Sequence, residues 1–120
     1  MAPLADRLEK ALNRLGETAM HLGKKGVSPE FKAAFAHAFP FLEAMGDVIM
    51  AWMLLWRASI AAEKLNNGAK KKDVIFYEGQ LKSAEFFIQT VIPVACGKMD
   101  AIMEGSSAAV AISEAAFGGL

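Results

Sequence analysis

Asp47-Val48-Ile49-Met50-Ala51-Trp52-Met53-Leu54-Leu55-Trp56-Arg57 is the most apolar stretch of the chain. Nine apolar residues stand between the two charges, whereas a membrane span needs about 20. The run therefore predicts the centre of a buried helix, apolar on every side because it has neighbours on several sides. Read outward from it, Phe31, Phe35, Ala38, Leu42, Met45, Ile49, Trp52, Trp56 and Ile60 recur every three or four residues. That is the spacing of one helical face. Ser28-Pro29-Glu30 opens this helix, with Ser28 as N-cap and Pro29 at the first helical position, and Asn66-Asn67-Gly68 stops it. Pro40 interrupts it, but the stripe keeps phase across the proline, so the expectation is a kink.

On the N-terminal side, Leu4, Leu8, Ala11, Leu15, Ala19 and Leu22 form a second stripe among charged residues. They predict an amphipathic helix from Pro3 to Lys24, ended by Gly23 and Gly26. On the C-terminal side, Lys70-Lys71-Lys72 reads as a basic loop and Asp73 as the cap of a third long helix, which stops at Gly105. Its stripe is Tyr77, Leu81, Ala84, Ile88, Val91, Ala95 and Ile102, and Pro93 predicts a second kink. The tail from Ser106 has the composition of a short fourth helix. No alternation of strand type occurs. The fold class is all-α: an elongated antiparallel bundle of three long helices, because two helices of roughly 50 Å do not fit a globule of ~14 Å radius of gyration.

Thirteen basic and thirteen acidic residues give zero net charge. This argues against nucleic acid, which rewards a basic surface, and leaves little repulsion between copies. The single cysteine, Cys96, cannot form an internal disulfide and reads as a small buried hydrophobe. Met1 to Arg7 lacks a basic segment followed by an apolar core, so no signal peptide is expected and a cytoplasmic location is.

No group of residues carries catalysis, a cofactor or a metal. Glu43 and Asp47, and Asp100 and Glu104, share helical faces, but without Glu-x-x-His spacing they read as solvated or ion-paired carboxylates. His21 and His37 have no metal-ligating neighbours, and His21 is expected to be exposed near a helix end. The lysines at 70–72 are expected to be solvated, and the glycines lack the strand and spacing of a phosphate loop. Trp52 and Trp56 are expected in the core or at a subunit contact. Antiparallel packing around residue 69 or 70 brings Arg57 level with Lys82, so Arg57 is expected to pair with Glu78 or Glu85.

Two segments resemble a known family. Gly46-Asp47-Val48-Ile49-Met50-Ala51-Trp52-Met53-Leu54-Leu55 with Arg57-Ala58, and Phe76-Tyr77-Glu78-Gly79-Gln80-Leu81-Lys82-Ser83-Ala84-Glu85-Phe86-Phe87 leading to Val91-Ile92-Pro93, are similar to the helical domain that follows the flavin domain in one branch of the acyl-CoA dehydrogenases. Glu114-Ala115-Ala116-Phe117 also resembles the end of that domain. The resemblance covers about two thirds of the chain. Gln80 stands where the family often has Lys, and Glu85 where it has Arg, so the salt bridges of those positions must differ here.

The resemblance implies that residues 1–120 are one helical domain, the C-terminal part of a larger enzyme that oxidises acyl-CoA to enoyl-CoA with FAD. The flavin and substrate sites would lie in preceding domains, so no catalytic residue is carried over. The structural or interface candidates are Trp52, Trp56, Arg57, Tyr77, Gly79, Glu85, Phe86 and Phe87. The implied partners are the flavin domain or a neighbouring subunit. A 54% apolar composition in a thin bundle also predicts an exposed apolar patch that pairs two copies about a two-fold axis. The alternative is a stand-alone helical module that binds a protein or an apolar ligand.

Overall fold

A computed structural model describes residues 1–119. Among them every regular element is helical: α1 (Ala2–Gly26), α2 (Phe31–Ala36), α3 (Ala38–Asn66), α4 (Lys71–Glu104) and α5 (Ala108–Ala111). Gly68, at φ 75°, turns the chain after α3. With so short a connection α3 and α4 become antiparallel neighbours and form the main packed pair. α1 lies against both. The Cα extents are 68 × 29 × 17 Å and the radius of gyration is 19.6 Å, so the bundle is elongated, as the helix lengths require.

Helix ends follow local chemistry. The Ser28 hydroxyl accepts the Glu30 N–H at 3.1 Å, the bond expected of an N-cap, although regular helix begins only at Phe31. Gly105 ends α4 at φ 70°, in the left-handed region, and donates its N–H to Ala101 O at 3.3 Å. A Cβ there would also meet Lys25 Nζ at 2.6 Å. Lys71 and Lys72 form the first turn of α4 instead of a loop, with Lys70 as its N-cap and Asp73 inside that turn. A carboxylate there favours the helix dipole without capping a backbone N–H.

At Pro40 the chain does more than kink. α2 ends at Ala36, His37 turns the backbone, and Pro40 falls in the first turn of α3. A missing N–H costs nothing there, because first-turn donors lack intrahelical partners. Pro93, by contrast, lies inside α4. It and Gln89, whose carbonyl it leaves unbonded, are both exposed, so water can satisfy that oxygen.

The core joins Leu4, Leu8 and Ala11 of α1 to Ala44, Val48 and Ala51 of α3 and Ile88, Ile92, Ala95 and Met99 of α4. Two of the three stripes read from sequence point inward. In α4, Ala84, Ile88, Ala95 and Ile102 are buried; in α1, Leu4, Leu8 and Ala11 are, with Thr18 replacing Ala19. The stripe of α3 points the other way. Its buried residues are Ala44, Val48, Ala51, Ala58 and Ala61, while Leu42, Ile49, Trp52, Trp56 and Ile60 are exposed. The Asp47–Arg57 run is thus covered on one side only. Small side chains let α3 and α4 approach closely, and the large ones are left outside.

Candidate functional site

The outward face of α3 is the most developed surface feature of the molecule. Trp52 is 51% exposed and Trp56 57%. Their rings stack at 6.4 Å with planes 16° apart, as positions four apart on a helix permit. With Leu55 and Ser59 they line an open groove of about 400 Å³. Leu42, Ile49 and Ile60 extend this face in both directions. The charged residues Glu43, Asp47 and Arg57 project elsewhere around the helix, on the 3.6-residue wheel.

The remaining interface candidates scatter. Arg57 and Tyr77 come together along one seam of the α3–α4 pair, with Ile60, Ala61, Phe76 and Gln80. Arg57 makes no ion pair among the described residues. It is level with the expected glutamates but on the wrong side of α4. Glu85 lines the opposite seam with Met1, Leu4 and Ala62, and it pairs with Lys82 at 2.8 Å. That bond holds the Lys82 ammonium pKa above its ordinary value. Phe87 packs on the core, whereas Phe86 is exposed. Gly79 has open space where a Cβ would stand.

Two of the carboxylates make ion pairs between helices. Glu43 lies 3.4 Å from the Lys98 ammonium, and Asp100 accepts from Arg14 at 2.9 Å, while Glu17, within α1, takes the other side of the Arg14 guanidinium. The hydrogen bonds to Asp100 and then Glu17 raise the Arg14 pKa. Among the described residues no three His, Cys, Asp or Glu side chains gather as metal ligands. His37 Nε2 lies 3.1 Å from Ser106 O. His21 is only partly exposed, and its buried Nε2 has no hydrogen-bond partner among the described residues. The expectation of a solvated His21 missed the Gly105 turn, which folds over it. Cys96 is half-buried against the core, and its thiol pKa is pushed up by burial first and by Asp100 second.

Residues 1–113 match a family model described as acetyl-CoA dehydrogenase C-terminal like. The chain belongs to that family. The match reaches through α1, which sequence reading related to the family only in type. Over 77 residues, 64% of this chain, it is 32% identical to a broad-specificity linear acyl-CoA dehydrogenase of Mycobacterium tuberculosis. It is 31% identical over 77 residues, 63% of this chain, to a butyryl-CoA dehydrogenase of Syntrophomonas wolfei. The aligned stretch is 13% of each of these much longer relatives.

Among the described residues, neither of the two roomiest grooves of this acetyl-CoA dehydrogenase C-terminal-like domain fits a flavin. The Trp52–Trp56 groove is walled by apolar groups. The groove beside Met1 has Lys82 and Glu85, but these satisfy each other. Neither presents the row of backbone donors that cradles a pyrophosphate. α3 and α4 are long and apolar enough to cross a bilayer by length and composition alone. Their longest uncharged stretches are 48–56 and 86–97.

Proposed function

We propose that this domain is the non-catalytic assembly part of an FAD-dependent acyl-CoA dehydrogenase that oxidises acyl-CoA to enoyl-CoA in the cytoplasm. Flavin and substrate are held by the preceding domains. This domain contributes a docking surface to the flavin domain or to a neighbouring subunit, and helps to form a homodimer. One observation carries the reading: α3 buries alanines inside the bundle and turns two stacked tryptophans, with a line of aliphatic side chains, toward the outside. An apolar face of that extent on a two-layer bundle calls for a covering surface. Family membership supplies the kind of enzyme, and the apolar grooves agree with chemistry done elsewhere.

Native fractionation of the source cells, followed with an antibody to this chain, tests the reading. The sequence is expected to elute with flavin absorbance and acyl-CoA-dependent dye reduction. The isolated domain is expected to purify colourless and to stay inactive with added FAD. Elution apart from all flavoprotein would refute the assignment, as would turnover by the isolated domain.

A further inference from the structure

Arg57, Tyr77 and Gln80 line one groove along the seam between α3 and α4, over a floor of Ile60, Ala61 and Phe76. The antiparallel hairpin brings them together: counted out from the turn at Gly68, Arg57 stands level with Gln80 and Ile60 with Tyr77. The Phe76 and Tyr77 rings meet edge to face with centroids 5.6 Å apart, a favoured geometry of aromatic pairs. Among the described residues, the side-chain hydrogen bonds engage none of Arg57, Tyr77 and Gln80, and the ion pairs belong to Arg14, Lys82 and Lys98. The neighbouring carboxylates are badly placed to fill the groove. Glu85 faces the opposite seam and pairs with Lys82. Glu78 stands on nearly the opposite side of α4 from Gln80, and Asp73 lies about 10 Å along the helix from it.

We propose that this groove receives a carboxylate side chain of the polypeptide on which the domain docks. Arg57 is its two-bond partner, Tyr77 and Gln80 are flanking donors, and the floor meets the methylene groups of the incoming side chain. The inference rests on the docking role proposed above. It adds a face of α3 other than that of Trp52 and Trp56, and it names the chemistry the partner presents there.

Donor set, charge and size agree with this occupant. A guanidinium only donates, through a planar fork that fits a carboxylate with two parallel N–H bonds. A carboxylate has about four lone-pair sites, and the fork, the Tyr77 hydroxyl and the Gln80 amide supply as many donors. Residues 57–80 hold five basic side chains, Arg57, Lys64 and the three lysines at 70–72, against the acidic Glu63, Asp73 and Glu78. The hairpin end is thus positive in a chain of zero net charge, which draws acidic groups toward it. Arg57 is the one cation among the groove's lining residues, so a single negative charge is matched there and a phosphate dianion is not. The groove holds about 160 Å³, below the ~300–1,000 Å³ of a small-molecule site. That is room for one side chain and not for a free cofactor or substrate.

The probe is the peptide acetyl-Gly-Glu-Gly-amide, titrated into the isotope-labelled chain and followed by nuclear magnetic resonance. The same peptide with glutamine in place of glutamate, and inorganic phosphate, are the comparison arms. The Arg57 Nε–H and Gln80 side-chain N–H resonances are expected to shift together and to saturate with the glutamate peptide in the millimolar range. Arg7, exposed and outside the ion pairs of the described residues, is the internal control and should shift without saturation. Arg57→Lys should weaken binding by about tenfold and Tyr77→Phe by about threefold, with helical circular dichroism unchanged. The proposal is overturned by no saturable shift, by equal responses of Arg7 and Arg57, or by equal binding of the glutamine peptide. Tighter binding of phosphate, or indifference to Arg57→Lys, would overturn it as well. Elution of the chain with flavoprotein together with a silent Arg57 would refute the groove alone. A saturable glutamate site in a chain that elutes apart from all flavoprotein would support the groove and refute the enzyme assignment above.

Discussion

Ala51 and Trp52 are neighbours in the chain and opposites in burial. Periodicity in the sequence showed that one face of α3 is apolar but could not say which of two apolar faces lies inside. Size decides it. Two helices that pack closely need alanine between them, and a tryptophan facing α4 would hold the pair apart. The consequence reverses the usual ranking of core substitutions. Ala51→Leu and Ala58→Leu are expected to cost the monomer about 1–3 kcal/mol by overpacking. Trp52→Ala and Trp56→Ala should cost less than the ~3–5 kcal/mol of a buried tryptophan, since about half of each is already in water. Urea unfolding at high dilution measures both series. Cys96 supplies a pH dependence. Its folded pKa is raised, chiefly by burial, so above the ordinary thiol pKa of ~8.5 the unfolded chain loses its proton first. Stability should therefore be unaffected below that pH and fall as pH rises through it. Cys96→Ala should remove this part of the decline in a pH series of unfolding curves.

At the scale of elements, the stops at Asn66-Asn67-Gly68 and Gly105 were legible because glycine in a left-handed turn has a local cause. The division at His37 was not, because the apolar spacing runs through it unbroken. The two prolines that look alike in sequence occupy different mechanical positions. Pro40→Ala is expected to be nearly neutral, since the first turn of α3 has no use for its N–H. Pro93→Ala should stabilise the monomer, by up to the ~3 kcal/mol that proline costs within a helix. Equal effects in thermal unfolding would contradict this placement. Gly79 also lies within α4, and open space surrounds its absent side chain. Gly79→Ala is expected to stabilise the isolated monomer by about 1 kcal/mol, and a loss of stability would show that the chain itself needs the glycine. The Arg57–Glu pairing failed for a reason of the same scale. Antiparallel register fixes level but not side, and Glu85 faces the other seam.

For the whole molecule, length and apolar pattern were enough for an elongated helical bundle, and the two motif segments were enough for its family. The site was less legible, because an interface consists of what the fold leaves uncovered, and that requires the packing. Trp52 and Trp56 were marked as core or contact residues, and only the burial of their alanine neighbours separates the two. They are the chain's two tryptophans, both on the proposed contact, so their fluorescence reports whether that face is covered. Emission and acrylamide quenching should be followed while the protein is diluted from micromolar to nanomolar. Blue-shifted, protected emission is expected at high concentration, turning red and quenchable on dilution while the helical signal stays constant. Emission that is independent of concentration would contradict it, whether it is blue, with the tryptophans inside the bundle, or red, with nothing covering them.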